Sequence, residues 1–284
     1  GIMDVATTST KTMANMMVGR EVSFGIDKNP AKFGEEVLRV EKLTVKNQDG
    51  LPVVKNVSFS VRKGEIFAIA GVSGNGQTEL ADAITGLLNS SGKVLLQGKD
   101  ISGYDVRQRT LEGISYIPED RQAVGLVLDF SLEENLALKE YFKEPFCKKG
   151  VLHSEAFDEQ GERLIKEYDI RSGQGIKTTV RSMSGGNQQK AIIAREIELD
   201  SKLMIFVQPT RGLDIGAIEN IHKQILAQRD AGKAILLISL ELDEIIGLAD
   251  TIGVMYSGEM LNIAPAETLS TNQVGEYMMG VKAV

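Results

Sequence analysis

The chain has 284 residues and a formal net charge of -7, with 42% hydrophobic and 25% charged residues. This is the balance of a globular protein large enough to bury a core, and the acidic charge argues against a nucleic-acid binder. The single cysteine, Cys147, excludes an internal disulfide, and His153 and His222 have no second metal ligand nearby in sequence. No apolar run approaches the ~20 residues of a membrane helix, so another chain must span any membrane at which this one works.

Residues 1–36 carry little periodic hydrophobicity, and we predict that they form a linker. Within them, residues 7–19 align without gaps to residues 268–280, with five of thirteen positions identical. This similarity is either a coincidence between two Thr- and Met-rich stretches or the tail of an earlier copy of the same domain. On the second interpretation, the chain is the second half of a tandem protein.

Three apolar runs of buried-strand length follow, at residues 66–70, 203–207 and 234–238. Residues 57–61 alternate between apolar and polar, as a half-buried strand does. Helical patterns separate these runs. Strands that alternate with helices predict a mostly parallel sheet covered on both faces, with an antiparallel edge formed by about residues 37–62.

Two helices are predicted from apolar residues at helical spacing. The first follows the run at 66–70 and carries Leu80, Ile84, Leu87 and Leu88 on one face. The second carries Ile218, Ile221 and Ile225, and Gly232 can end it. Residues 131–190 are charged and helix-prone, with little strand pattern, so we predict a helical subdomain inserted there.

A strand–turn–helix at 66–88 contains GVSGNGQT at residues 71–78. This string matches the phosphate-binding pattern G-x-x-x-x-G-K-[ST] except at Gln77, which stands for the lysine. The glycines let successive backbone N–H groups face an anion at the start of a helix, and Thr78 can offer a hydroxyl to Mg²⁺. The predicted phosphate-binding residues are Gly71, Ser73, Gly74, Asn75, Gly76, Gln77 and Thr78.

Four strings further along the chain indicate the class of nucleotide-binding protein. In chain order they are PEDR at 118–121, SMSGGNQQK at 182–190, QPTRGLD at 208–214 and ELDEI at 241–245. With the phosphate loop they resemble the ABC ATPases, whose S-G-G-Q signature precedes a strand ending in D-E-P-T and a short L-D turn. The resemblance covers about residues 37–284. Its strings are similar to those of the second half of simple-sugar and nucleoside importer ATPases. The string QPTRGLDIGAIE is more similar to the nucleoside importers.

The resemblance implies a P-loop ABC-type nucleotide-binding domain at 37–284, with an α/β fold and residues 1–36 as linker and tail of a preceding ABC domain. It also implies that two such domains pair head to tail, each nucleotide lying between one phosphate loop and the other domain's signature. The residues kept for the partner's nucleotide are Ser184, Gly185, Gly186, Asn187 and Gln188 of the signature and Leu213 and Asp214 of the following turn.

The residues that serve the chain's own nucleotide depart from the family pattern. No aromatic residue for adenine stacking stands near Val45, and Glu119 replaces a glutamine that touches Mg²⁺. The resemblance further implies that Val207 replaces the metal-holding aspartate, Gln208 the general base, and Leu240 the histidine that senses the γ-phosphate. Because phosphoryl transfer relies on positioning and charge neutralisation, we predict no catalysis at the chain's own site.

We therefore predict an ATP-binding half of an ABC importer for a nucleoside or simple sugar, with ATP and Mg²⁺ bound weakly or not at all at its own site. The predicted partners are the preceding ABC domain of the same polypeptide, membrane permease subunits and, indirectly, a solute-binding protein, at the cytoplasmic face of the plasma membrane. One alternative is a non-transport ABC ATPase. Another is a regulatory or scaffold module without nucleotide, against which the three glycines of the phosphate loop argue.

Overall fold

The computed structural model describes residues 26–281. Residues 7–19, on which the internal similarity rests, lie outside this range. In chain order the strands are β1 (Glu36–Lys46), β2 (Pro52–Arg62), β3 (Ile66–Ala70), β4 (Ser91–Leu96), β5 (Lys99–Asp100), β6 (Ile114–Ile117), β7 (Cys147–Lys148), β8 (Val151–Leu152), β9 (Leu203–Val207), β10 (Ala234–Ile238), β11 (Thr251–Tyr256) and β12 (Glu259–Pro265).

The α-helices are of seven residues or more, apart from one of six. In chain order they are α1 (Gln77–Thr85), α2 (Val106–Glu112), α3 (Leu132–Ala137), α4 (Ser154–Glu167), α5 (Gly185–Glu198), α6 (Ile215–Asp230), α7 (Leu242–Leu248) and α8 (Thr271–Met278). A π turn spans Arg121–Gly125, and 3-10 turns span Gly175–Lys177, Val180–Ser182 and Ala266–Thr268. Within the described range, no helix has both the length and the apolar character to cross a bilayer.

The central sheet has six strands in the order β12-β11-β3-β10-β9-β6, and only the β11/β12 pair is antiparallel. The three predicted apolar runs are its adjacent strands β3, β10 and β9, in which every residue is buried. A second, four-stranded antiparallel sheet has the order β2-β1-β4-β5. The predicted α/β class is confirmed, and the antiparallel edge is larger than residues 37–62 because β4 and β5 join it.

The two faces of β3 explain how the layers are held together. Ile66, Ala68 and Ala70 face the core that contains the helices after β6, whereas Phe67 and Ile69 face the core beneath the antiparallel sheet. Because side chains alternate along a strand, one apolar run serves both cores. The phosphate loop leaves the sheet directly after Ala70.

The prediction that Leu87 and Leu88 share a helical face with Leu80 was wrong. Helix α1 ends at Thr85 because Gly86 adopts a left-handed conformation with φ 87° and its N–H bonds back to Ala83. Leu87 and Leu88 lie beyond this cap and are 43% and 39% exposed. The glycine was visible in the sequence, but the apolar spacing continued through it.

Helices α3 and α4 and the first turn of α5 lie in residues 131–190, where a helical subdomain was predicted. This stretch also contains a hairpin of β7 and β8, which the sequence pattern did not indicate because each strand has two residues. Lys149 and Gly150 join them with positive φ values of 52° and 80°, as a tight hairpin requires.

Residues 28–34 form an N-terminal strap along the domain, before β1 begins. Arg229 donates from Nη2 to the Asn29 carbonyl oxygen over 2.9 Å, and Asn29 Nδ2 donates to Asp230 over 2.8 Å. The Gly34 N–H donates to the Lys63 carbonyl oxygen over 2.9 Å. This part of the predicted linker is therefore bonded to the domain.

Candidate nucleotide site and signature surface

The phosphate loop, residues 71–78, depends on Gly76 for its path. Gly76 has φ 95° and precedes the first turn of α1 without a side-chain cap. A Cβ atom there would lie 2.4 Å from the Val53 carbonyl oxygen, so only glycine fits. Ser73 and Gly74 are exposed at the tip of the loop. The backbone thus takes the course of an anion-binding turn before a helix.

Gln77 turns its side chain back over the loop. Its Nε2 donates to the Val72 carbonyl oxygen over 3.1 Å, and the residue is 4% exposed. A Cβ atom added to Gly71 would lie 2.3 Å from the same Nε2, so the carboxamide covers Gly71. The amide that stands for the phosphate-binding lysine is therefore bonded within the loop itself.

Asn75 fastens the phosphate loop to the turn between β11 and β12. Its Oδ1 accepts from the Ser257 N–H over 2.9 Å, and its carbonyl oxygen accepts from the Gly258 N–H over 3.1 Å. Asn75 is 9% exposed, and its Nδ2 is buried without a hydrogen-bond partner in the described structure. A buried donor without an acceptor in this loop fits a site for an anion.

Thr78 and Glu119 meet, although they are distant in sequence. Thr78 Oγ1 donates to Glu119 Oε2 over 3.0 Å, and the other carboxylate oxygen pairs with the Arg211 guanidinium. These residues line a cleft of about 560 Å³ that also contains Asp82. Burial raises the pKa of Asp82, although a hydrogen bond from Tyr116 opposes the shift.

Val207, Gln208 and Leu240 lie at or just after the carboxyl ends of the adjacent strands β9 and β10. Val207 ends β9 and is fully buried, and its isopropyl side chain carries no oxygen. Gln208 follows in a left-handed conformation with φ 47°, and its N–H donates to the Ile238 carbonyl oxygen. Leu240 lies shortly after β10. A valine, a carboxamide and an isobutyl group provide no base there.

The signature begins helix α5. Ser184 is its N-cap, and its Oγ accepts from the Asn187 N–H over 3.5 Å and from Asn187 Nδ2 over 2.9 Å. Asn187 Oδ1 in turn accepts from the Arg171 N–H over 2.8 Å. Within residues 26–281 the Ser184 hydroxyl hydrogen has no acceptor, and Ser184 and Gly185 are exposed. This surface can donate to an incoming anion.

Gln188 requires a correction, since it was predicted to face the partner's nucleotide. It is 1% exposed, and both ends of its amide are bonded inside the domain. Its Nε2 donates to the Val180 carbonyl oxygen over 3.0 Å, and its Oε1 accepts from Gln122 over 3.2 Å. Gln188 therefore stabilises the start of α5 and does not reach the surface.

Leu213 and Asp214 lie beside the signature, as the predicted pairing of these segments requires. Asp214 caps α6 by accepting from the Ala217 N–H over 2.9 Å, while Leu213 packs against the core. Residues 184–187 and 212–217 line one cleft of about 590 Å³. We call residues 184–187 together with Leu213 and Asp214 the signature surface.

The cleft at the signature surface carries more positive than negative charge, in a chain of net charge -7. Its charged lining consists of Arg171, Lys190 and Lys223 with Asp169 and Asp214. A hydrogen bond from Lys190 lowers the pKa of Asp169, which therefore stays ionised and offsets that lysine. Lys223 is likewise paired with Glu219 over 2.8 Å, so the start of α5, rather than the balance of charge, favours an anion.

Two arginines of the site were not assigned a role from the sequence. Arg211 pairs with Glu119, and Arg121 donates to the carbonyl oxygens of Gly185 and Arg211. Both lie inside strings that carried the resemblance, PEDR and QPTRGLD. Their contacts join residues 64 to 92 positions apart, a separation at which sequence spacing gives no signal.

The family model described as "ABC transporter" matches residues 54–211, more than half of the chain. The chain belongs to the ABC transporter family. Two similar proteins are the "Guanosine import ATP-binding protein NupO" of Bacillus subtilis, 48% identical over 98% of this chain, and the "Nucleoside import ATP-binding protein NupA" of Lactococcus lactis, 44% identical over 98%. The chain spans 54% and 55% of those proteins, about half of their length.

Solved structures show the same fold. A nucleotide-free ATP-binding cassette of an ABC transporter superposes with a TM-score of 0.70 and 24% identity, covering 84% of this chain and 95% of that one. An ATP-binding cassette in an ADP conformation gives a TM-score of 0.68 and 22% identity, covering 87% and 96%. At this identity the likeness establishes the ABC cassette fold.

Family membership implies ATP with Mg²⁺ as the cofactor. The buried, unpaired Nδ2 of Asn75 fits a phosphate oxygen in the loop. Thr78 Oγ1 and Glu119 Oε2, 3.0 Å apart, are hard oxygen donors of the kind Mg²⁺ takes, and they would hold it. Bound there, the ion would neutralise phosphate charge. In the described range, no group of three or more His, Cys, Asp or Glu residues could hold a metal.

Proposed function

We propose that this ABC domain is the second ATP-binding half of an importer subunit for a nucleoside or simple sugar. It pairs with a catalytically competent first half, offers that half its signature surface, and has an inert site of its own. The observation that carries the proposal is the contrast between the two surfaces. Gln77, which stands for the phosphate-binding lysine, is bonded inside its own loop, whereas the exposed Ser184 hydroxyl keeps a free donor.

The similar proteins support the tandem arrangement and the substrate class. Both nucleoside relatives are about twice as long as the stretch that this ABC domain matches, which leaves room for a first half. Their printed names specify guanosine and nucleoside import. Names with glucose, xylose and ribose occur at 39% identity and below. A nucleoside is therefore the first substrate to test.

The inert own site follows from its chemistry. Phosphoryl transfer needs neutralisation of phosphate charge and a group that orients the attacking water. Gln77 supplies no charge and is bonded to the Val72 carbonyl oxygen, while Val207 and Gln208 supply neither a metal-holding carboxylate nor a base. Glu119, the carboxylate in this cleft that is bonded to Thr78, is already paired with Arg211.

The signature surface can bind the partner's nucleotide without a lysine, a metal-holding carboxylate or a general base of its own. A γ-phosphate presented across the interface meets the N–H groups that begin α5 and the Ser184 hydroxyl, while Asn187 holds that hydroxyl as a donor. Arg171 lies in the same cleft with an 81% exposed side chain. Such donors, fixed before the nucleotide arrives, stabilise transferring charge without reorganising.

Membrane permeases are the partners that import requires, at the cytoplasmic face of the membrane, with a solute-binding protein delivering the solute. Exposed apolar residues support permease docking, and Val106 lines one cleft with Leu87 and another with Leu111 and Tyr141. The exposed residues are Leu87, Leu88, Val106, Leu111 and Tyr141, each at least 39% exposed. Isolated exposed apolar residues are ordinary, but a cluster of large ones marks an interaction surface.

Two alternatives remain as hypotheses. A non-transport ABC ATPase of the coiled-coil type needs a long insertion, but only 65 residues separate Glu119 from Ser184 and they form short helices. A scaffold without nucleotide has no use for an open signature surface. Titration of the full-length protein with ATP, with protection mapped along the chain, separates this second alternative from the proposal.

The decisive experiment is nucleoside uptake by the full-length subunit assembled with its permeases, comparing Ser184→Arg with Ser182→Arg. Ser182 is exposed, and its hydroxyl bonds to the Thr179 carbonyl oxygen away from the cleft. We expect Ser184→Arg to abolish uptake and Ser182→Arg to retain it, with both proteins folded and assembled. Normal uptake by folded Ser184→Arg protein would show that the signature surface serves no nucleotide.

A further inference from the structure

One side chain connects the two segments of the signature surface. Arg121 Nη1 donates to the Gly185 carbonyl oxygen over 3.1 Å, and Nη2 donates to the Arg211 carbonyl oxygen over 2.9 Å. The first acceptor lies in the opening turn of α5, and the second lies just before Leu213. The guanidinium therefore spans the gap between the signature and the turn that follows β9.

The segment that carries Arg121 is itself attached to α5. Gln122 Nε2 donates to Gln188 over 3.2 Å, and Arg195 Nη2 donates to the Gly125 carbonyl oxygen over 2.9 Å. Asp120 closes the π turn by accepting from the N–H groups of the two residues after Arg121. The turn and α5 thus form one unit, from which Arg121 reaches across to the second segment.

Both ends of this connection lie at van der Waals distance from a glycine. A Cβ atom added to Gly185 would lie 3.4 Å from Arg121 Nη1, and one added to Gly212 would lie 3.7 Å from Nη2. The planar guanidinium can donate in two directions at once, whereas a lysine ammonium is a compact charge at the end of one flexible stem. Its two acceptors are partial negative charges beside a cleft that favours an anion.

We propose that Arg121 is a positioning residue for the partner's nucleotide. It holds the signature and the turn at Leu213 and Asp214 in one fixed arrangement, so that the first half meets a preformed surface when it closes around ATP. This inference rests on the proposed function. Arg121 does not touch the nucleotide. It lowers the cost of ordering two segments that must contact the same ligand.

The test uses the full-length subunit with its permeases and compares Arg121→Ala, Arg121→Lys and the control Arg181→Ala. Arg181 is an exposed arginine close to the signature, paired with Asp129 over 2.7 Å and bonded to neither segment. Two quantities are measured: the ATP dependence of hydrolysis, and amide hydrogen exchange of residues 185–188 and 211–214 without nucleotide.

We expect Arg121→Ala to raise KM for ATP about ten-fold, with kcat within about two-fold of wild type, because two charge-assisted bonds that order the surface are lost. Exchange should accelerate in both segments. Arg121→Lys should keep exchange slow in one segment only and give an intermediate KM, and Arg181→Ala should match wild type. If Arg121→Ala does not fold, the lysine variant alone decides, by the same two measurements.

Unchanged exchange and KM in the Arg121 variants, a fall in kcat at constant KM, or equal effects of Arg181→Ala would each overturn the proposal. Ser184→Arg separates this failure from that of the proposed function. If Ser184→Arg is inactive while Arg121→Ala behaves as wild type, only the positioning role is lost. If Ser184→Arg hydrolyses ATP normally, the proposed function itself is wrong.

Discussion

The phosphate loop and the signature surface are both turns that lead into a helix, yet they differ in what their side chains do. At the start of α1, Gly76 provides no cap, and Gln77 and Asn75 are bonded to backbone groups of the same domain. At the start of α5, Ser184 caps the helix, and its exposed side chain lines an open cleft. Both surfaces therefore have a helix N-terminus. The side chains around it decide whether that N-terminus binds an anion.

We expect the largest effect on uptake from a carboxylate placed on the signature surface, because it would stop this surface from binding an anion. Gly186→Asp should abolish uptake, because a negative charge at the start of α5 repels the partner's γ-phosphate. The fold should survive, since a Cβ atom at Gly186 meets nothing within 4 Å and a carboxylate in a first helical turn stabilises by about 0.3–1 kcal/mol. Uptake and thermal unfolding are measured together.

Two variants serve as controls for that result. Gly275→Asp adds the same charge within α8, where a Cβ atom also has open space, and should transport normally. Gln77→Ala should barely change uptake, because the site it lines has lost its base. Loss of uptake in Gln77→Ala together with normal uptake in Gly186→Asp would mean that the roles of the two surfaces are reversed.

The next largest effect is on stability, and it concerns a buried ion pair of α5, the helix that begins with the signature. Lys139 pairs over 2.7 Å with Glu196 of α5, which is fully buried and also bonded to Arg195. Lys139→Met should lower the free energy of unfolding by about 3 kcal/mol, since a buried carboxylate loses one of its two cations. Chemical denaturation measures this loss. Lys143→Met, which breaks an exposed pair with Glu140, should cost less than about 1 kcal/mol.

We also expect Lys139→Met to change how the stability of the protein depends on pH. Burial raises the pKa of Glu196, but Lys139 and Arg195 outweigh it, so the pKa in the folded protein lies below its ordinary value. Stability from this group is complete above the ordinary pKa and is lost as pH falls through the lowered one. Lys139→Met removes a lowering influence, so acid unfolding should begin at a higher pH than in wild type. An unchanged acid midpoint contradicts this account.

A smaller effect is expected from restoring the lysine of the phosphate loop. Gln77→Lys should tighten ATP binding by about one to two decades, because a charge-assisted contact to phosphate replaces an amide bonded to Val72. Calorimetry on the isolated domain measures it. Gln77→Met keeps the length without the charge and should bind no more tightly than wild type. Equal or weaker binding by the lysine variant speaks against a phosphate cradle at residues 71–78.

The smallest expected signal is the ATPase activity of the isolated domain, which should not exceed background with or without Mg²⁺. Val207 and Gln208 supply neither a metal-holding carboxylate nor a base. Phosphate release is followed over time, with Gln208→Ala as the control. Mg²⁺-dependent turnover by the pure protein would refute the inert site, and its loss in Gln208→Ala would assign a part in it to Gln208.

Much of the fold was predictable because its buried strands are continuous apolar runs. β3, β9 and β10 begin and end at the predicted residues, since a strand covered on both faces leaves no polar position inside it. The prediction failed where local geometry overrode spacing, at Gly86, and where a polar residue of the signature string, Gln188, proved to be buried.

The site was predictable as a set of positions but not as a set of contacts. The strings located the phosphate loop and the signature, because each is a short segment with its own backbone requirement. The bonds from Glu119 to Arg211 and from Arg121 to Gly185 depend on how distant loops are brought together by the sheet. Nor does the sequence indicate that Gln77 folds back onto Val72, which is a choice of rotamer.

The N-terminal strap bears on how this domain should be cloned. The sequence pattern of the fold starts at residue 37, and an expression boundary set there would delete Asn29, whose carbonyl oxygen accepts from Arg229. Arg229 is 1% exposed, so the Nη2–H group that bonds to Asn29 would lose its acceptor in a buried place. The Asp230 carboxylate would also lose its hydrogen bond from the Asn29 amide. A boundary at residue 27 keeps these bonds, and a purification tag belongs before it.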